Sequence, residues 1–215
     1  MRIDTEAVLN EVIDKMRDIF EIRANDIPNI ELYMDQVTTF MDEKLRYTVR
    51  SGESEEKILT KTMINNYAKN DLLPPPYKKK YSREHMMVLI FVYYFKSFLT
   101  INDIQTLLQP LTDTYFKNES SPGLDEIYDK IFDMGENRIQ SLEDSLRDSF
   151  QNVSDVFGDI PEEEAEYLRL FTYICFLSYD VFVKKMLIEQ LIDELSEKQK
   201  ERETEEKKKE KKKKS

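Results

Sequence analysis

Apolar residues recur at three-to-four spacing along most of this chain, the period of amphipathic helix. Val8, Leu9, Val12, Ile13, Met16, Ile19 and Phe20 form one stripe over residues 4–22. Pro28 interrupts it, and Tyr33, Val37, Phe40, Met41, Leu45 and Thr48 form the next over residues 30–47. A polar connector follows at residues 51–54. The spacing predicts a third helix that starts at Thr60, a good N-cap, and stops before Pro74, since the residue ahead of a proline is pushed out of helical geometry. Pro74, Pro75 and Pro76 force an extended turn. A fourth helix is expected from about Ser82 through Phe98. A short fifth is expected to open at Thr100 with Asp103 as its capping partner, to run to about Leu108, and to be closed by Pro110.

Helical spacing returns at Leu124, Ile127, Ile131, Met134, Ile139, Leu142, Leu146 and Phe150. Ser120, Ser121, Pro122 and Gly123 make the best boundary between two parts. Pro161 followed by Glu162, Glu163 and Glu164 opens a last long helix, with the acids at the positive end of its dipole. Its apolar residues crowd nearly the whole circumference as far as Val183 and continue to about Leu195, so the helix needs cover on several sides. Packing within the chain against residues 124–150 is one cover and a dimer is another; a regulatory pocket among the Tyr, Phe and Met side chains is a third reading, behind plain core. Residues 197–215 are Lys/Glu low complexity with nothing to bury, and are expected to fray or to be disordered. The expected division is an N-terminal helix (1–29), a central domain (30–112), a helical C-terminal region (123–196) and a charged tail (197–215).

Composition supports an all-α fold: there are 4 glycines in 215 residues, and the long elements are rich in Glu, Lys, Leu, Met and Ile. One Cys and one His exclude a disulfide framework and an ordinary Cys/His zinc site. Phosphate-cradling glycines are missing, adjacent acids such as Asp125 and Glu126 point in different directions on a helix, and His85 has no nucleophile beside it, so neither an enzyme nor a cofactor is expected. His85 is read as part of a helix cap or of a wing, and Cys175 as a small buried hydrophobe. The most apolar runs, Met86–Phe95 and Leu170–Tyr179, are too short to span a bilayer and are read as buried helix. With no export signal and one Cys, the cytoplasm is the expected compartment.

Charge is uneven. The net is −11, yet residues 57–85 carry +5 inside an otherwise acidic chain, so contact with a polyanion is confined to that island. Wound at 100° per residue, Lys61, Thr62, Asn65, Asn66 and Lys69 share one face of the third helix, and Met63, Ile64, Tyr67 and Ala68 share the opposite one. Lys neutralises phosphate, and Asn pairs with adenine in the major groove. After the prolines, Lys78, Lys79, Lys80 and Arg83 stand beside Tyr77 and Tyr81, a composition suited to gripping a duplex backbone. The bland alternative is a solvated helix face and a solvated lysine turn.

The order Thr60-Lys-Thr-Met-Ile-Asn-Asn-Tyr67, Asp71-Leu-Leu-Pro74, Lys79-Lys-Tyr81-Ser and Thr100-Ile-Asn-Asp-Ile104 resembles the DNA-binding region of MerR-type regulators. That resemblance implies a winged helix-turn-helix followed by a helical C-terminal region, with Lys61, Thr62, Asn65 and Asn66 facing double-stranded DNA, Tyr67 bracing the helix, and Lys79 at the basic position of the wing. It also implies a homodimer through C-terminal helices. Asp71 stands where that family usually carries Gly. More closely, residues 30–39, 59–76 and 78–85 resemble the bacterial domain of unknown function numbered 1836. Two roles follow as expectations: a DNA-binding transcriptional regulator, or a protein-interaction module on a helix-turn-helix scaffold that no longer reads DNA.

Overall fold

The computed structural model describes residues 3–49, 58–117 and 122–213. The connector expected at 51–54, Lys57 of the basic island, and Ser120 and Ser121 of the expected boundary lie outside the described residues. The fold is mostly helical. Its elements are α1 (Thr5–Asp18), a 3-10 turn at Ala24–Asp26, β1 (Leu32–Tyr33), α2 (Met34–Leu45), a second 3-10 turn at Arg46–Thr48, α3 (Lys61–Lys69), β2 (Lys80–Tyr81), α4 (Arg83–Phe95), α5 (Ile101–Tyr115), α6 (Leu124–Glu136), α7 (Ile139–Ser154) and α8 (Glu162–Lys213).

The continuous apolar run does what such a run must: α4 is buried on every side, with each residue from His85 to Val92 inside the protein. Around it stand Val37, Met41 and Leu45 of α2, Ile64 and Tyr67 of α3, Ile104 and Leu108 of α5, and Tyr128 and Phe132 of α6. Truncating any of these large buried side chains to Ala costs about 2–5 kcal/mol.

The strap between α1 and α2 is laced to α6. Tyr128 donates its hydroxyl to the carbonyl of Ile22 at 2.8 Å in the interior. The Ala24 N–H donates to Asp129 at 2.7 Å, and Arg23 bridges Asp133 and Glu136. The ring of Phe20 lies against Gly135, where any Cβ would stand within 2.1 Å of it. One of the few glycines is therefore explained by close approach and not by a turn.

Several expectations need correction. Residues 30–33 are not helical: Leu32 pairs with Tyr81 and Tyr33 with Lys80 in an antiparallel two-stranded sheet, and α2 begins only at Met34. The fourth helix ends at Phe95. The stripe over 124–150 is two helices, parted at Asn137 and Arg138. Pro110 does not close the fifth helix, which passes through it to Tyr115. A proline has no N–H for the carbonyl four residues back, here that of Thr106. Gln199 of α8 supplies the missing donor, its side-chain amide reaching the Thr106 oxygen at 3.0 Å. The charged segment from 197 onward, expected to lack fixed structure, continues α8 as helix to Lys213. The run Leu170–Tyr179, read as buried helix, is largely exposed: Phe171, Ile174, Phe176 and Tyr179 all stand in solvent.

Candidate nucleic-acid interface

The third helix forms as its residues dictate. The Thr60 hydroxyl accepts from the Met63 N–H at 3.2 Å, filling one orphan donor of the first turn. At the other end Asn70 is the cap and Asp71 takes the left-handed conformation (φ 55°). The Leu72 N–H then reaches back to the Tyr67 carbonyl at 3.0 Å, a Schellman-type closure with Leu72 buried beneath it. That conformation is why a glycine is favoured at this position, and Asp71 holds it with a side chain.

The two faces separate as the helical wheel predicts. Ile64 and Tyr67 are buried and anchor the helix on the core; burial also pushes the Tyr67 hydroxyl pKa up. Lys61, Thr62, Asn65, Asn66 and Lys69 are all exposed. Both α3 and β2 pack on α2, so the polar face and the basic turn hang from one element.

The basic turn is tight. Tyr77 and Lys80 bridge, the Lys80 N–H donates to the Tyr77 carbonyl at 2.9 Å, and the two central residues, Lys78 (φ 49°) and Lys79 (φ 64°), are both left-handed. This is the mirror-image turn that normally takes Asn-Gly. Two lysines in it carry strain of about 1 kcal/mol or more apiece. Tyr77 is exposed, and the Lys78 ammonium sits over its ring at 5.1 Å.

The sequence-predicted cations are not equivalent. Lys61 pairs with Asp35 of α2 at 2.5 Å, both groups well exposed. Lys80 lies 3.8 Å from Glu31 and 5.5 Å from the centre of the Tyr33 ring. Arg83 turns inward: its Nε donates to the Ala24 carbonyl at 2.8 Å and an Nη to Asn25 at 2.9 Å. It clasps the start of α4 to the strap. Among the described residues Lys69, Lys78 and Lys79 make no ion pair. Sequence reading missed Asp35 of α2 and Glu31 just before β1, which meet the lysines only through the fold.

His85 supports the turn from behind. The Ser82 N–H donates to its Nδ1 at 2.9 Å, with the Ser82 hydroxyl at the same distance, so the helix-cap reading holds and the ring proton sits on Nε2. That nitrogen is buried and no acceptor among the described residues meets hydrogen-bond geometry with it, while the backbone of Pro74 and Pro75 beside the ring offsets part of the burial. The ring meets Tyr81 and Phe116 edge-on. Burial, with the Lys117 charge behind it, brings the His85 pKa down to about 4, so the imidazole is neutral at physiological pH.

No group of His, Cys, Asp and Glu side chains suited to a metal ion occurs among the described residues, and no described helix is long and apolar enough to cross a membrane. Neither the curated proteins nor the solved structures contain a match to this chain. One family model does match, over residues 22–131, from the strap through most of α6 and just over half of the chain. The chain belongs to the family defined by that model, the domain of unknown function DUF1836.

Proposed function

We propose that this chain is a cytoplasmic DNA-binding regulator of MerR-like type, acting as a homodimer and carrying no catalytic step. One observation carries the reading: a capped nine-residue helix buries Ile64 and Tyr67 and turns Lys61, Thr62, Asn65, Asn66 and Lys69 to solvent. Asn65 and Asn66 supply paired donor and acceptor groups for base edges. Lys69, Lys78 and Lys79 supply phosphate contacts, and Lys61 joins them by exchanging an exposed carboxylate for a phosphate, since a surface ion pair is worth at most about 1 kcal/mol. The strained lysine turn favours the same reading, because strain at a solvent-facing tip is kept where it presents a group for use.

The test is selection from a random DNA pool by the purified chain, followed by a salt titration. Three to five phosphate contacts give a log–log salt slope of about −3 to −4.5. Lys79→Glu weakens binding on all sequences alike. Undetectable binding at low salt, or binding indifferent to that change, removes the reading.

A second role, a protein-interaction module on the same scaffold, is favoured by Asp35 and Glu31 beside two of the lysines and by the inward engagement of Arg83. A stoichiometric protein partner retained after nuclease treatment supports it.

A further inference from the structure

Between the start of α1, the end of α7 and the start of α8 lies a cleft of about 540 Å³. Helical spacing builds two of its walls. Glu166, Arg169, Leu170 and Tyr173 follow one another at intervals of three and four on α8, and Phe150, Val153 and Ser154 share a face of α7 in the same way. Ile3 to Glu6, at the start of α1, close the third side. All of these residues lie outside 22–131, so the family match assigns nothing to the cleft. Its size is that of a small-molecule site.

The floor is apolar and held in place. Val153 and Tyr173 are buried, with Phe150 and Leu170 half-buried beside them. The Tyr173 hydroxyl donates to the Leu146 carbonyl of α7 at 3.2 Å, which fixes its ring. Phe150 meets that ring edge-on, the centroids 5.5 Å apart. Both rings line the cleft, and the face of an aromatic ring attracts a cation.

The rim has a sign. Asp4, Glu6 and Glu166 bring three carboxylates to the cleft against the one guanidinium of Arg169. That guanidinium is already engaged: its Nε donates to the Val156 carbonyl at 2.9 Å and an Nη to Glu162 at 2.9 Å. The flanking sequence agrees, since residues 143–169 carry nine acids and two arginines. Such a rim repels an organic anion, and an uncharged ligand gains only from the floor.

We propose that this cleft binds a small organic cation, an ammonium group carried on an apolar body. The body lies on Val153, Leu170 and the corner formed by Phe150 and Tyr173, and the ammonium sits among Asp4, Glu6 and Glu166. A ligand held this way ties the start of α1 to α7 and α8. The proposal neither uses nor tests the DNA reading.

Titration calorimetry on the full chain tests it with three probes that share one skeleton: phenylbutylamine, phenylbutanol and phenylbutyrate. The amine is expected to bind one to one, the alcohol about tenfold more weakly, and the carboxylate more weakly still. Glu6→Gln with Glu166→Gln brings the amine down to the affinity of the alcohol and leaves the alcohol unchanged. Leu170→Trp fills the cleft and abolishes binding of both, with helix content followed by circular dichroism. An amine that does not bind, a carboxylate that binds as well as the amine, an amine affinity indifferent to the double substitution, or binding that survives Leu170→Trp overturns the proposal.

Discussion

Gln199 completes a helix to which it does not belong: its side-chain amide donates to the carbonyl of Thr106, the group that Pro110 leaves without a partner. The pairing fixes α8 on α5 at a distance of 93 residues in sequence. Gln199→Ala strands that carbonyl and is expected to cost about 1 kcal/mol in urea unfolding. In a Pro110→Ala background the restored N–H takes over, so the same change costs close to nothing. Equal losses in both backgrounds would refute the pairing.

Asp71→Gly is expected to raise stability by about 0.5–1 kcal/mol. The φ of 55° at this position carries no steric cost for glycine, and the backbone closure through Leu72 and Tyr67 is unchanged. The change also removes a carboxylate just past the Asn70 cap of α3, so on the proposed reading DNA affinity is expected to rise with it. A fall in unfolding midpoint would show that the Asp71 side chain contributes more than its conformation costs.

The lysine turn separates stability from function. Lys78→Asn with Lys79→Gly installs the pair this turn geometry prefers and is expected to gain about 1–2 kcal/mol in chemical unfolding. On the proposed DNA-binding reading, the variant loses two phosphate contacts, so binding is expected to weaken and the salt slope to shrink by about 1.8. A double variant that binds as well as the wild type would free the turn of any role in DNA contact.

His85 makes the fold sensitive to acid. Its pKa is about 4 in the folded chain against an ordinary 6.5, so the unfolded state takes up a proton first. Stability from this group is therefore full above pH 6.5, falls as pH drops from 6.5 toward 4, and levels below that. The integrated loss is about 3 kcal/mol. Unfolding curves of His85→Gln, measured against wild type across that window, should lack this component. Parallel curves for the two proteins would show that the proton is taken up without penalty.

The local chemistry of α3 was legible in the sequence. A threonine cap, a period of 3.6 and an acid-free polar stripe fix which side chains face out, and all of these are properties of one short segment. The burial of α4 was legible for the same reason. What escaped depends on distant partners. A strand of two residues has no period, so β1 and β2 appear only once Leu32 meets Tyr81. Asp35 and Glu31 are ordinary surface acids until folding sets them against Lys61 and Lys80. Arg83 reads as one more cation in a basic run, yet its partners lie 58 and 59 residues upstream. The helix through Pro110 was unreadable because its substitute donor sits on α8. For α8 itself, composition shows that cover is required but not which surface supplies it.

The lacing of the strap to α6 brings the two ends of the family-matched segment together. Ile22, its first residue, accepts the hydroxyl of Tyr128, three positions before its last. A unit whose entrance and exit meet forms a closed circuit of chain. It can sit inside a longer polypeptide, or be circularly permuted through a short splice at that junction, without rerouting any internal element.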